Sequence, residues 1–547
     1  MKKGDVTLNK EVKRRELILS GNIWTTIIAI CMPLMIYQAF NSWYTVADQI
    51  IAASISADAQ SAIASIAQIR NTISAFGAGL AAGGGVLVAR YYGAGKLHDA
   101  RSVASNLLLL ALILSLILAL IVIPLAYPIL SLCQIAPASI ELGQNYFRLQ
   151  MLELAFVGIN NVFIGLEKAK GNSRSVLWLN LGVVIVKLGL TCLFVYGFNL
   201  KDIVYVELAT IIGQGLLMIV GIYIMFRKNN ILRMSFRLMR LKKQYVIPII
   251  SLSLPIFLGK FVMNLGKVIV NGMCGAYWNS FESETVKGSL IVGTLGISNN
   301  MSGLITSPTN SFEEGESSIV SQNIGNRNMK RALEVFKRTF ILATIVSVLG
   351  WVLMRFVLIN PLTDLFSAVS NKADESNMEI FKNMIREIFI YDSLSIPALG
   401  IAAAVLGLLY GFGQTKLSTI FNLSRIGSRI IILYVLHLTP LRDNPTLCAG
   451  LAMGISNCII LVMSIIFLIG FLLHINKKGF KGMKFSDPEP EVSKLQFEED
   501  EVITNLEEND SGGADSSFFM VCRACYMSRV KVPREVVVAN SIATCKA

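Results

Sequence analysis

The length of its apolar runs constrains this chain most. About twelve stretches reach the roughly twenty residues that a helix needs to cross about 30 Å of hydrocarbon. They are 22–53, 59–91, 102–132, 146–167, 175–197, 204–226, 246–276, 289–322, 334–358, 384–411, 417–438 and 449–474. In lipid every backbone N–H and C=O must find its partner inside the protein, and runs of this length do so as helices. Composition agrees, because 54% of the 547 residues are hydrophobic and 16% charged, more apolar surface than a soluble domain can hide. The expected fold is an all-α membrane protein with twelve transmembrane helices.

The formal charge of +13 does not mark a nucleic-acid partner. Its basic residues gather between the apolar runs, at 2–15, 227–243 and 477–484, rather than on one face. With the N-terminus in the cytoplasm, Arg90, Lys96 and Arg101, then Lys168, Lys170 and Arg174, then 227–243, then Arg327, Lys330 and Arg331 all fall on that side. The opposite loops carry Asp58, Glu141, the Glu282, Glu284 and Lys287 group and the mixed 364–382 stretch. The expectation is a multi-pass protein of the cell membrane, a bacterial inner membrane by preference, with both termini cytoplasmic. A cleavable signal peptide is not expected, since the first apolar run is too long for one. Cys31, Cys133, Cys192, Cys274 and Cys458 sit in or at the edges of apolar runs and read as packing residues.

The first run holds Pro33 and a polar row, Gln38, Ser42, Thr45 and Gln49, at steps that share one helix face. Pro255 is followed at the same distances by Lys260, Asn264, Lys267 and Asn271. Residues 83–100 align without gaps with 315–332. Gly171-Asn-Ser-Arg174 followed by Asn180 returns as Gly413-Gln-Thr-Lys416 followed by Asn422. Six helices per copy place both copies the same way up, as parallel repeats with a site expected between them. The expected organisation is a basic N-terminus (1–20), a six-helix lobe (21–226), a linker (227–245), a second lobe (246–476) and a cytoplasmic tail (477–547). Residues 489–515 of the tail are acidic and expected to be disordered; the lone Cys522-Arg-Ala-Cys525 pair carries no assignment.

Charges inside the spans mark the candidate residues, because each costs about 2.5–3.5 kcal/mol to insert. Asp48 is the leading candidate for ion coupling, able to exchange a proton or to hold sodium with neighbouring oxygens. Gln38, Ser42, Thr45, Arg70, Glu153, Asn180, Lys187, Lys260, Asn264, Asp392, Asn422 and Arg429 are the candidate cavity residues. The buried cations either pair with Asp48, Glu153 and Asp392 as structural links or leave a positive field for an anionic ligand. Glu313, Glu314 and Glu316 are expected at the cytoplasm or capped by nearby Arg and Lys. Pro33 and Pro255 either loosen their helices for gating or are ordinary membrane-helix prolines.

These motifs carry a resemblance. Pro33 with Val46-Ala-Asp48-Gln-Ile-Ile-Ala, the Leu87-Val-Ala-Arg-Tyr-Tyr-Gly-Ala-Gly95 stretch, Val320-Ser-Gln-Asn-Ile-Gly325 and the two Gly-x-[Ser/Thr]-[Arg/Lys] loops resemble the multidrug and toxic compound extrusion (MATE) family over about residues 20–475. The resemblance implies two six-helix lobes in a V, alternating access, and export driven by a proton or sodium gradient. It also implies that Asp48 matches the family's first-helix acidic residue. The chain departs from the pattern at Met263 and Asn264, and at Leu399, where some members carry carboxylates.

The function expected is therefore a cation-coupled antiporter of amphipathic small molecules, working in the lipid bilayer as a monomer with no cofactor beyond its proton or Na+. A flippase for lipid-linked saccharide precursors is the alternative. A membrane-embedded enzyme is disfavoured because His98, His437 and His474 do not cluster and no nucleophile motif or metal-ligand spacing occurs. An ATP-driven pump lacks its GxxxxGK[ST] loop.

Overall fold

A computed structural model describes residues 3–478 except 56, 133–136, 201, 279, 284–285, 287–289 and 371–374. The tail beyond 478, including residues 489–515 and Cys522–Cys525, lies outside the described residues. Among the described residues there are sixteen α-helices and no β-strand. A first helix, α1 (Lys3–Leu19), precedes α2 (Ile23–Ile55), α3 (Ala57–Gly93), α4 (Leu97–Val122), α5 (Ala126–Leu132), α6 (Pro137–Ala169), α7 (Ser173–Cys192) and α8 (Ile203–Phe226). The second half holds α9 (Lys243–Trp278), α10 (Ile291–Gly325), α11 (Met329–Val352), α12 (Ile359–Ser370), α13 (Glu375–Ser393), α14 (Ile396–Gly411), α15 (Lys416–His437) and α16 (Pro445–Lys478).

Ten helical stretches, one of them α11 continued into α12, are long and apolar enough to cross a membrane, and the pair α13 and α14, bent by 44° at its break, passes the same test taken together, as a broken span or a re-entrant loop. The remaining expected span is α10, which has the length at 35 residues but is too polar. Its neighbours explain how it is tolerated. Helices α14, α2, α3, α11 and α13 pack along α10, so most of its Ser and Thr side chains, and Glu316, are turned into protein. The expected 102–132 span is divided after Val122, just before Pro124, into α4 and α5. Pro33 and Pro255, by contrast, lie inside unbroken helices.

The repeats are joined by exchange. The broadest contact of α2 is with α10, and that of α9 is with α3, so each opening helix packs on the second helix of the other half. The contacts obey the repeat. A Cβ added at Gly83 would lie 2.5 Å from Ser253, and one at Gly315 would lie 2.5 Å from the Cys31 sulfur. Cys31 and Ser253 are equivalent positions, each two residues before its proline. Further along, a Cβ on Gly93 would lie 2.1 Å from the Gln322 carbonyl oxygen, and one on Gly325 would lie 2.1 Å from that of Arg90. These residues are also equivalent in the gapless alignment. The Arg90 guanidinium donates to the carbonyl of Gly411 (2.9 Å), and the Gln322 amide donates to that of Ala169 (2.7 Å). Gly411 and Ala169 each lie two residues before a repeat loop glycine. The halves thus meet through one patch used twice, as across a two-fold axis.

Small residues make the approach possible, because only Gly lets two helix backbones come this close. The loop glycines Gly171 and Gly413 hold φ of +74° and +78°, which ends α6 and α14 in the same way. At the same end, α1 ties both halves. Arg15 donates to the carbonyls of Tyr92 (3.0 Å) and Gly93 (2.9 Å), while Arg331 reaches back to those of Ile18 (2.9 Å) and Gly21 (2.6 Å).

Gly93→Ala and Gly325→Ala should each destabilise the protein by about 1–3 kcal/mol, the usual cost of overpacking. Both substitutions pry open one contact, so in thermal melts the double variant should lose clearly less than the sum of the singles. Additive losses would mean that the two glycines do not share a contact.

Candidate functional site

Behind the closed contact, α3, α6, α9, α10 and α14 surround a cavity of about 110 Å³ that lies between the halves. Its wall is small and apolar on α3 (Ala78, Ala81, Ala82, Gly85), and polar opposite, with Lys168, Lys260, Glu313, Glu314 and Tyr410. Lys168 of α6 and Glu314 of α10 form an ion pair across the two halves. Lys260 and Glu313 face the same space from α9 and α10. The glutamates of α10 therefore do not stand at a free surface. Glu316 is sealed (0% exposed) against α14, where a Cβ at Gly407 would lie 2.9 Å from its Oε2, and neither carboxylate oxygen has a hydrogen-bond partner among the described residues. The cause is the clamp on α10, which turns its last three turns into an interior segment.

A second cluster belongs to the first half. Arg70 on α3 donates through Nη2 (2.6 Å) and Nε (3.2 Å) to Oε2 of Glu153 on α6, whose side chain is fully buried. Extending the gapless alignment, Arg70 corresponds to Ser302 of α10, and Ser302 donates to Asp392 of α13. Both halves therefore fasten their second helix to the next-but-one span with a buried carboxylate. Lys187 of α7 lies 4.2 Å from the centre of the Tyr44 ring on α2, a cation–π contact that joins two helices of the same half.

The third cluster occupies the second half. Asn457 of α16 donates to Asp392 (3.1 Å) and to the Ser395 hydroxyl (2.8 Å). Its carbonyl oxygen accepts from Arg425 Nε (2.7 Å) and Arg429 Nη2 (2.9 Å), and Arg429 Nε donates to Ser456 (2.9 Å). One amide thus stands between a carboxylate and two guanidinium groups. Lys267 of α9 faces the same charges, Arg425, Arg429 and Asp392, and makes no hydrogen bond or ion pair among the described residues.

The remaining candidates are dispersed. Asn180 and Asn422 each donate to a carbonyl of their own helix, Val176 (2.8 Å) and Ser418 (2.9 Å), which explains their matching positions without a ligand. Thr45 is exposed and bonds Asn41 of its own helix (3.0 Å), while Gln38 and Ser42 are half-buried. Asn264 crosses between the halves to the carbonyl of Asn71 (2.8 Å). Asp48 lies on α2, and its side chain is outside the described residues, as is that of Gln49. Sequence reasoning missed Arg425, Asn457 and the role of Lys168. The first was findable, because Arg425 precedes Arg429 by one helical turn and shares its face.

A family model described as MatE matches residues 33–193 and 255–435, one match for each repeat. The Bacillus subtilis (strain 168) protein described as "Probable multidrug resistance protein YpnP" is 22% identical over 313 residues, covering 57% of this chain and 67% of that one. Among solved structures, a MOP superfamily transporter from Pyrococcus furiosus Vc1 (DSM3638), described by a reverse polarity of its binding pocket suggesting a different function, superposes with a TM-score of 0.76 at 17% identity over 84% of this chain and 98% of that one. An outward-facing multidrug resistance MATE family transporter gives 0.76, again at 17% identity over 84% and 98% of the two chains.

Arg70→Met should cost about 3 kcal/mol, because it strands the buried Glu153 charge, and Arg70→Met with Glu153→Leu should recover most of that loss. Chemical unfolding of the single and double variants measures it. A double variant as unstable as Arg70→Met would show that the pair is not what holds α3 to α6.

Proposed function

The chain belongs to the MatE family, and from that premise we propose that it is a cation-coupled antiporter, exporting amphipathic small molecules by alternating access. The observation that carries this reading is the two-fold contact between the halves at the end rich in Arg and Lys, with a cavity directly behind it that is lined on one side by Lys168, Lys260, Glu313 and Glu314. Two helices meeting through a few glycines form a contact that either holds or parts, as a gate must. The basic end then faces the cytoplasm of a bacterial inner membrane, following the bias of Lys and Arg to that side. Each half supplies the other's partner helix, so one chain is a complete unit and the monomer suffices.

Coupling to a proton or to sodium needs a group whose charge state changes the preference between the two conformations. Asp48 fills that role in the first half. Glu316 offers a second such group, since a buried carboxyl without a hydrogen-bond partner is neutral when protonated and costly when ionised. The carboxylates that some family members place near Met263 and Leu399 are then replaced by one on α10.

Reconstituted in proteoliposomes with proton and sodium gradients imposed separately, the protein should move a fluorescent amphiphile under one of them. Asp48→Asn should express and melt as the parent does while losing at least about tenfold of the gradient-driven rate. Full transport by Asp48→Asn would place coupling elsewhere, and no flux under either gradient would contradict the antiport reading.

A further inference from the structure

We infer that the second half binds an acidic group of the transported molecule at Lys267, Arg425 and Arg429, so that the substrate is an anionic or zwitterionic amphiphile. The inference rests on the transport reading above and names its substrate class. The three cations converge from two helices. Lys267 lies four residues after Met263 and three before Val270, both buried in an apolar cluster with Ile426, Leu433, Ile388 and Met453. It therefore points into the second half rather than to lipid, which Leu265 and Ile269 of the same helix face. Arg425 and Arg429, one turn apart on α15, come to the same place.

Charge decides what such a place accepts. Among the described residues, one carboxylate faces the three cations, Asp392, which is 2% exposed and already accepts hydrogen bonds from Ser302 and Asn457. Asn457 separates it from both arginines, and among the described residues no ion pair closes between them. Lys267 and Arg425 are half-buried and Arg429 is sealed beneath them. Among the described residues Lys267 has no hydrogen-bond or ion-pair partner and only the Nε of Arg425 is engaged, which leaves its fork to receive a carboxylate, sulfonate or phosphate. In the first half, by contrast, Arg70 is answered by Glu153, with Glu207 close by. A permanent cation entering here meets repulsion, with no free carboxylate among the described residues of the cluster to offset it.

The test uses one dye in two charge forms, a rhodamine with a free carboxyl group and its methyl ester, bound to purified full-length protein and read by fluorescence polarisation. The parent should bind the free acid at least about tenfold tighter than the ester. Lys267→Gln and Arg425→Gln should each weaken the acid about tenfold and leave the ester within about twofold, while Lys267→Arg, which keeps the charge, retains the selectivity. Melting curves identify any variant that has lost its fold, and Lys267→Arg keeps the comparison valid. Equal binding of both dyes, binding of neither, or a selectivity that survives Lys267→Gln overturns the site. Gradient-driven flux of the same dyes separates the two claims. Selective binding without flux contradicts the transport reading alone, whereas flux of the ester in preference to the acid contradicts the charge assignment.

Discussion

The structure depends on a backbone approach that only glycine permits. Where α3 and α10 end, Gly93 faces the main chain of Gln322 and Gly325 faces that of Arg90, with 2.1 Å left for any added carbon. Lipid offers no hydrophobic drive to press helices together, so close packing and hydrogen bonds between helices must supply the attraction. Both are concentrated here, since Arg90 and Gln322 each reach a helix-terminal carbonyl of the other half. The remaining links follow the same symmetry: α2 crosses to α10, α9 crosses to α3, and α1 spans the end of both. A two-fold contact of this kind has two natural states, joined and parted, and the cavity lies immediately behind it.

The same symmetry is broken where charge is concerned. The first half balances Arg70 against Glu153, while the second replaces that arginine with Ser302 and gathers Lys267, Arg425 and Arg429 around a single shielded Asp392. Duplicated backbones with different charge fit a division of labour, one half able to exchange a small cation and the other to hold a larger charged molecule. On the proposed antiport reading, coupling would need no direct contact between the two ligands, because each would bias one shared equilibrium between joined and parted halves.

Much of the fold was legible in the sequence. Apolar length gives the helices, and the repeated proline rows and glycine motifs give the duplication, because backbone needs are written in residue type. Even the reciprocal contact is latent in the alignment of residues 83–100 with 315–332. The site was less legible. The polar rows of α2 and α9 suggested one lined path, yet Lys260 faces the cavity between the halves, Asn264 bridges to Asn71 and Lys267 turns into its own half. Residues on one helical stripe share a face, but that face borders several neighbours, which spacing alone does not specify. Asn180 and Asn422 each hydrogen-bond to a carbonyl of the preceding turn, which is one local reason for an asparagine within a helix. Glu313, Glu314 and Glu316 are expected from the sequence at the cytoplasm or capped by nearby Arg and Lys; Glu314 does pair with Lys168, whereas the packing of α10 seals Glu316.

The central claim is that the contact between α3 and α10 parts and re-forms as the protein works. Pulsed electron–electron distance measurements between spin labels at Lys96 and Lys330, just beyond the two helix ends, address it directly. Two distance populations are predicted, a short one matching the joined halves and a longer one, with their ratio shifting when the coupling ion or a transported amphiphile is added. A single short distance under every ion, gradient and ligand condition would contradict the account.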